Sequence, residues 1–398
     1  MAGSRGYNNY RHQADVFNLY HILKSRGFNT KKIITLAYND IVNHEMNPRK
    51  GIVYNNASHI NVYPGSKAID YQEKEATAEN FLRVLKGDKK NGRALETTDK
   101  DDIFIYFNDH GAPGLLCVPA NNGPLLYADQ LDKVLKEMYE QKKFRRIFFV
   151  IEACYSGSVA RNISVPNVFV LSAAGPSQSS YSADWDDEVD AFLSNEFTKH
   201  FVKFILEQPK AKIIDAVNYV SQNVLRSHVT AYGDFRLTSE PLSTFLLDAK
   251  PVEIAETEES NSDLESNGEY TKKAFITFLE RKYKHSEGDE KEKIGKILAN
   301  EKLRRKKSSD TFRRIANGFD IDGYSGFDND ESYDNILYDC YRTAVEGFRL
   351  FCGEVDEHEL PKLRYFVKFC RSSDKQTILE HIRESCPSKL WSEEELYV

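Results

Sequence analysis

The chain is short of three things. No apolar stretch in its 398 residues approaches the ~20 that a membrane-crossing helix needs, so no membrane span is expected. Positive charge is not in excess. The formal net charge is −7, which gives no reason to expect a nucleic-acid partner. Cysteine is nearly absent from the first half, where only Cys117 and Cys154 occur. The opening MAGSRGYNNY also lacks a basic segment followed by an apolar core, so no signal peptide is visible in this chain. That sits awkwardly with the other four cysteines, Cys340, Cys352, Cys370 and Cys386, whose even number and helical spacing suggest disulfides and an oxidising compartment. Two N-glycosylation sequons, at Asn56 and Asn162, are candidates for modification.

What is present describes an ordinary globular protein, with 40% hydrophobic and 29% charged residues and enough length for two or three domains. Residues 1–250 alternate strand-like and helix-like stretches. KKIITLAYND, DDIFIYFND, RRIFFVIEA and NVFVLSAAG are short β-branched or aromatic runs ended by turn residues, the pattern of buried parallel strands. Between them, Val16, Leu19, Tyr20 and Leu23 mark one amphipathic helix. Leu131, Val134, Leu135 and Met138 mark a second, and Phe197, Phe201, Phe204 and Ile205 a third. The order predicts an α/β layered domain with a mostly parallel sheet, whose chemistry gathers beyond the carboxyl ends of the strands.

Residues 251–330 read as a connecting region. Its acidic, Ser- and Asn-rich start, within 249–270, is an exposed linker, and 271–315 is a strongly basic helical stretch. The run GFDIDGYSGFDNDES at 318–332 has the composition of a Ca²⁺ loop but neither its ligand spacing nor its terminal Glu, and reads as an acidic loop. Residues 331–398 predict three helices with short connections. Cys340 and Cys352 lie on one helix ~18 Å apart and cannot pair with each other. If the helices run antiparallel, Cys340 falls opposite Cys370 and Cys352 opposite Cys386. Four reduced core cysteines are the alternative.

Two strand ends carry the chemistry. IFIYFNDHGAPG ends in Asp109-His110-Gly111, and FFVIEACYSGS ends in Glu152-Ala153-Cys154. A nucleophilic cysteine needs a base to form its thiolate, and a histidine from an adjacent strand end can supply one. Backbone N–H groups at Gly111 and Cys154 can serve a developing oxyanion. Taken singly, a cysteine at a strand end reads as a small packed hydrophobe and a histidine as structural. The joint pattern points to a Cys–His hydrolase.

The runs AGSRGYNNYRHQAD, YFNDHG, IEACYSGS and SSY at 179–181, with CYRTAV, LRYFVKFC and IRESC in the tail, resemble the legumain family of asparaginyl endopeptidases among the caspase-like cysteine peptidases. The resemblance implies Cys154 as nucleophile, His110 as general base and acid, Asn9 as the residue orienting it, and Gly111 with Cys154 as oxyanion donors. It implies an S1 pocket of Arg11 and Glu152 with His12 beside them, a cleft lined by Ser179 and Ser180, and Asp109 as a succinimide former. Arg as donor and Glu as acceptor suit the two ends of an asparagine side chain. No cofactor or metal is implied.

There are two departures from the family pattern. The third S1 residue of the family is an aspartate, and here the aligned position is Asn195, which lowers the expected strictness of Asn over Asp. The family also carries an apolar strand and a signal peptide before AGS. Without them, a central strand position of the sheet is expected to be vacant.

The tail resembles the family's death-domain-like prodomain, which caps the active site. The expectation is a zymogen activated by autocleavage in acid at Asn261 or Asn267, with catalytic-domain carboxylates latching Arg304 and Arg305. Protein and peptide substrates, the chain's own prodomain and cystatin-type inhibitors are the implied partners. A transpeptidase side activity and a lysosomal, vacuolar or secreted location are also implied. The rival readings are a glycosylphosphatidylinositol transamidase relative and a catalytically impaired homologue acting as a binding or regulatory module.

Overall fold

The structure, a computed structural model, describes residues 1–119, 122–246, 273–319 and 335–386. The linker at 249–270 with Asn261 and Asn267, and nearly all of the acidic run at 318–332, lie outside the described residues. The chain divides into two compact units, Met1–Gly111 with Leu115–Thr271, and Ala112–Gly114 with Lys272–Val398.

The first unit is mixed α/β. Its elements in chain order are α1 (Tyr10–Ser25), α2 (Ala78–Lys86), β1 (Asp102–Asn108), β2 (Gly111–Ala112), β3 (Leu115–Leu116), β4 (Leu126–Tyr127), α3 (Ala128–Glu140), β5 (Arg146–Glu152), α4 (Ser156–Ala160), β6 (Val168–Ser172), β7 (Ser182–Asp186), β8 (Ala191–Asn195), α5 (Glu196–Glu207), α6 (Ile213–Asn223), β9 (Thr230–Gly233) and α7 (Ser243–Leu246). The main sheet runs β1-β5-β6-β9, parallel except for antiparallel β9. β5 lies inside the sheet, and Ile147–Ile151 are 0% exposed, which is why that strand reads as an unbroken apolar run. Its Phe148 packs against Phe201 of α5 and Phe245 of α7. α2 shows ordinary end chemistry. Thr77 accepts a hydrogen bond from the Asn80 amide at its start, and Gly87 closes it at φ 76°.

The run KKIITLAYND does not form a strand. Thr30–Lys32 make a single 3₁₀ turn, and only Leu36 bridges to Tyr71. The reason lies in its neighbour. Ala2 donates to the Leu36 carbonyl while Met1 and Gly3 exchange hydrogen bonds with Asn108 of β1, so the ladder there is three residues long. Met1–Gly3 thus enter the sheet position expected to be vacant. The Met1 ammonium is buried against the Tyr106 carbonyl at 2.6 Å, and burial lowers its pKa to about 5.

The second unit is helical: α8 (Ala274–His285), α9 (Gly288–Asn317), α10 (Tyr338–Cys352), α11 (Arg364–Ser372) and α12 (Lys375–Ser385). Phe312 of α9 stacks on Phe348 of α10 at 4.6 Å and meets Phe366 of α11, giving the unit an aromatic centre. Cys340 is joined to Cys370 and Cys352 to Cys386, with Cα separations of 5.8 and 5.2 Å. Among the described residues no helix is long and apolar enough to cross a membrane.

Within this unit Arg304 forks onto Glu301 and also meets Asp356, and Arg305 pairs with Glu301 at 2.6 Å and lies 3.8 Å from Glu357. A 3–4 residue spacing along α9 puts Glu301 under both guanidinium groups.

Candidate active site

The parallel register of β1 and β5 sets Asn108 opposite Glu152, and the Asp109 amide continues the ladder to the Glu152 carbonyl at 3.0 Å. The residues just beyond, Asp109-His110-Gly111 and Ala153-Cys154, therefore leave adjacent strands at the same level. Gly111 is required there: a Cβ would stand 2.2 Å from the Cys154 carbonyl oxygen.

His110 is held by Asn9, whose Oδ1 lies 2.8 Å from Nε2. The Asn9 amide nitrogen donates to the Arg5 carbonyl, so its oxygen is the end that faces the ring. Nε2 must then carry the hydrogen, and Nδ1 keeps the lone pair that a general base needs. His12 packs edge-on against His110 with ring centres 4.8 Å apart. Its Nδ1 lies 2.6 Å from Ser4 Oγ and 3.3 Å from Asp109 Oδ1. Burial, with Arg11 and His110 nearby, holds its pKa well below the usual histidine range, so it is neutral. Burial pushes the Asp109 carboxyl up to about 6. His12, Asp109 and His110 bring potential ligand atoms within 4.8 Å of one another, with His12 Nδ1 engaged by Ser4 and His110 Nε2 by Asn9.

Cys154 is buried, as is Cys117, and both lie outside the disulfides. The Ser180 backbone amide donates to the Cys154 sulfur at 3.3 Å, a contact that favours the thiolate. Ser180 is buried and Ser179, beside it, is half-buried. Tyr155 takes a left-handed conformation at φ 57°, which turns the chain sharply from the strand end into α4.

A polar cluster beside these groups contains Arg11, Glu152 and Asn195, all essentially inaccessible. Arg11 comes from α1, Glu152 from the end of β5 and Asn195 from the end of β8. Arg11 Nε donates to Asn195 Oδ1 at 3.1 Å. Glu152 Oε2 accepts from the Thr198 amide and hydroxyl, both at 3.1 Å, while its buried Oε1 has no hydrogen-bond partner among the described residues. Burial first, and Asp15 second, raise the Glu152 pKa to about 8. The carboxyl is therefore neutral in acid, able to donate as well as accept.

Sequence reasoning overlooked the hairpin β7–β8 that delivers Asn195, and the supporting residues Asp15, Asn55, Asn108 and Thr198. Asp15 was discoverable: it lies four residues after Arg11 on one helix, hence on the same face. The sequons fall elsewhere. Asn56 is exposed, whereas the Asn162 amide nitrogen is bonded to the Ser158 carbonyl at 2.6 Å.

Residues 1–284 match the Peptidase C13 family. Hemoglobinase from Schistosoma mansoni is 37% identical over 258 residues, covering 62% of this chain and 58% of that protein. Legumain from Mus musculus is 35% identical over 254 residues, again 62% of this chain and 58% of that protein. The chain thus spans under two thirds of the length of these relatives in the aligned region. A vacuolar-processing enzyme from Phaseolus vulgaris is 26% identical over 418 residues, covering 96% of this chain and 83% of its own. With a family match over well more than half of its length, the chain belongs to the Peptidase C13 family.

Proposed function

We propose that the protein is a cysteine endopeptidase that hydrolyses peptide bonds after asparagine and less readily after aspartate. The observation that carries this reading is the level placement of His110 and Cys154 on adjacent parallel strand ends, beside the buried Arg11–Asn195–Glu152 cluster. His110 Nδ1 takes the proton from the Cys154 thiol, and the thiolate attacks the scissile carbonyl carbon. Negative charge moves to the carbonyl oxygen, where the Gly111 and Cys154 N–H groups receive it. Collapse expels the amine, which leaves with the proton from His110, and an S-acyl enzyme remains. His110 then draws a proton from water, hydroxide adds to the thioester, and the thiolate leaves. An amine that outcompetes water at this stage gives transpeptidation.

In the S1 pocket the asparagine carbonyl faces Arg11, and its NH₂ faces Glu152 Oε1 and Asn195 Oδ1. Ser179 and Ser180 line the approach. Asp109, buried directly before His110, is the site for succinimide formation. The C-terminal helical unit acts as an intramolecular inhibitor that is released at acid pH by autocleavage at Asn261 or Asn267. Cystatin-type inhibitors bind the open cleft, and Asn56 carries glycan. A lysosomal or vacuolar compartment fits this chemistry, and the name of the Phaseolus vulgaris relative, vacuolar-processing enzyme, supports the vacuolar reading.

The test compares acid-treated parent protein with Cys154→Ala on Ala-Ala-Asn and Ala-Ala-Asp peptides. The parent is expected to cleave the Asn peptide faster, and the variant is expected to lose turnover by about three orders of magnitude or more. Equal turnover by both proteins would dispose of the peptidase reading. Equal rates on the two peptides would dispose of Asn selectivity.

A further inference from the structure

Asp15 is fully buried one turn along α1 from Arg11, a spacing that ordinarily gives a direct ion pair. Here the Asn195 side chain stands between them. Its Oδ1 accepts from Arg11 Nε, and its Nδ2 donates to Asp15 Oδ2 at 2.8 Å. The Asn195 backbone amide reaches the same oxygen at 3.2 Å, and Asn108 Nδ2 reaches it at 2.8 Å. The other oxygen accepts from Ser194 Oγ at 2.6 Å and Asn55 Nδ2 at 2.8 Å. Every hydrogen-bond partner of this carboxylate among the described residues is therefore a neutral donor. An amide has one donor end and one acceptor end, so an acceptor-only carboxylate fixes which way each amide turns. The second Asn195 N–H is directed at Asn108 Oδ1, 3.3 Å from Nδ2.

We propose that Asp15 is a positioning residue that sets P1 selectivity by locking the Asn195 amide with its carbonyl toward Arg11 and the pocket. The proposal rests on the S1 reading given above. The consequence is that Asn195 offers an incoming side chain only an acceptor. A P1 asparagine NH₂ is welcome there. An ionised P1 aspartate meets lone pairs instead of donors. Asn195 thereby does the work of the family's aspartate at this position, because the carboxylate behind it dictates its orientation. Without Asp15 the amide can turn over, present its NH₂ and accept an aspartate.

The test is a mutant cycle on the full chain after activation, assayed at pH 7, where a P1 aspartate is ionised. The readout is the ratio of kcat/KM for Ala-Ala-Asn to that for Ala-Ala-Asp, which does not depend on how much of a preparation is folded. Asp15→Ala is expected to lower the ratio by about tenfold or more, the scale of one charge-assisted hydrogen bond. In an Asn195→Asp background the same change is expected to leave the ratio unaltered, because a carboxylate needs no orienting. If Asp15→Ala is not recovered as folded protein, an active and Asn-selective double variant supports the proposal by rescue. An unaltered ratio in Asp15→Ala would overturn it, as would an equal fall in both backgrounds. A parent protein that cleaves neither peptide would remove the S1 reading itself, a result distinct from either of these.

Discussion

The cluster around Arg11 and the cluster around Glu301, one in each unit, bury charge in opposite ways. Around Arg11, Asp15 and Glu152 the carboxylates are held largely by neutral donors, amides and hydroxyls, and their pKa values rise, Glu152 to about 8 and Asp15 to about 6. Around Glu301 the carboxylate meets Arg304 and Arg305 directly, and its pKa is lowered despite burial. A buried ion pair with good geometry is self-contained and leaves little for a ligand to satisfy. A carboxyl propped up by neutral groups is costly in the free protein and retains an unfilled oxygen, as Glu152 Oε1 does. The first arrangement suits a structural joint, the second a binding site.

The largest effect that would sharpen this contrast is expected from Glu301→Gln. Both guanidinium groups lose their shared carboxylate, so the helical unit should lose about 3–5 kcal/mol at pH 7. Glu301 has a folded pKa below its unfolded value. Its contribution is present above the unfolded pKa and disappears as pH falls through the folded one. The variant and parent should therefore converge in strong acid, as followed by hydrogen exchange of α9 peptides on a Cys154→Ala background. A constant difference across pH would break the ion-pair description.

Next in size are the disulfides of the same unit. Cys352→Ser with Cys386→Ser opens a loop of sequence separation 34, and should cost the helical unit about 4 kcal/mol. Exchange in β5 and β6 should be unchanged. Loss of protection in those strands would show that the two units do not hold their stability separately.

How much of this was legible depends on where the information lies. β5 was plain because a fully buried strand has no polar face to confuse its pattern. Helix rise excluded a Cys340–Cys352 pair, and an assumed antiparallel arrangement favoured the partners found, with four reduced cysteines left open as the alternative. Residues 33–37 were misread because they have the composition of a strand, while strand formation needs a partner, and here the partner is Met1–Gly3. The local pairing of Arg304 and Arg305 with Glu301 was legible in their spacing of three and four residues on one helix, and it was passed over. Asp15, Asn55 and Asn108 were overlooked for another reason. They are polar residues whose meaning exists only once β8 and α1 bring them together.

Glu152→Gln addresses the binding-site half of the comparison. A carboxyl whose folded pKa exceeds its unfolded value binds more protons in the native state, so its burial weakens the fold as pH rises between about 4.5 and about 8. Taken alone, Glu152 should cost the catalytic unit stability from pH 5 to pH 8. Glutamine, which resembles the neutral acid, should remove on the order of 2 kcal/mol of that loss. The buried Met1 ammonium acts in the opposite direction over the same window, so the difference between variant and parent, not the parent slope, is the measurement. Parallel profiles would mean that Glu152 is not the neutral acid described here.

The smallest expected effect tests whether neutral donors carry the site. The Thr198 hydroxyl lies 3.1 Å from Glu152 Oε2 and 2.7 Å from the Tyr106 hydroxyl. Thr198→Val keeps the shape and removes both contacts, while the Thr198 backbone amide still serves Glu152 and Asn108 Nδ2 still serves Tyr106. The expected cost is about 1 kcal/mol, one net hydrogen bond, because each group keeps a second partner. The removed donor stabilised the charged form of Glu152, so its pKa should rise further, and the pH at which the fall in catalytic-unit stability ends should move upward. A shift downward would mean that the hydroxyl had been accepting from a protonated Glu152 rather than donating to it.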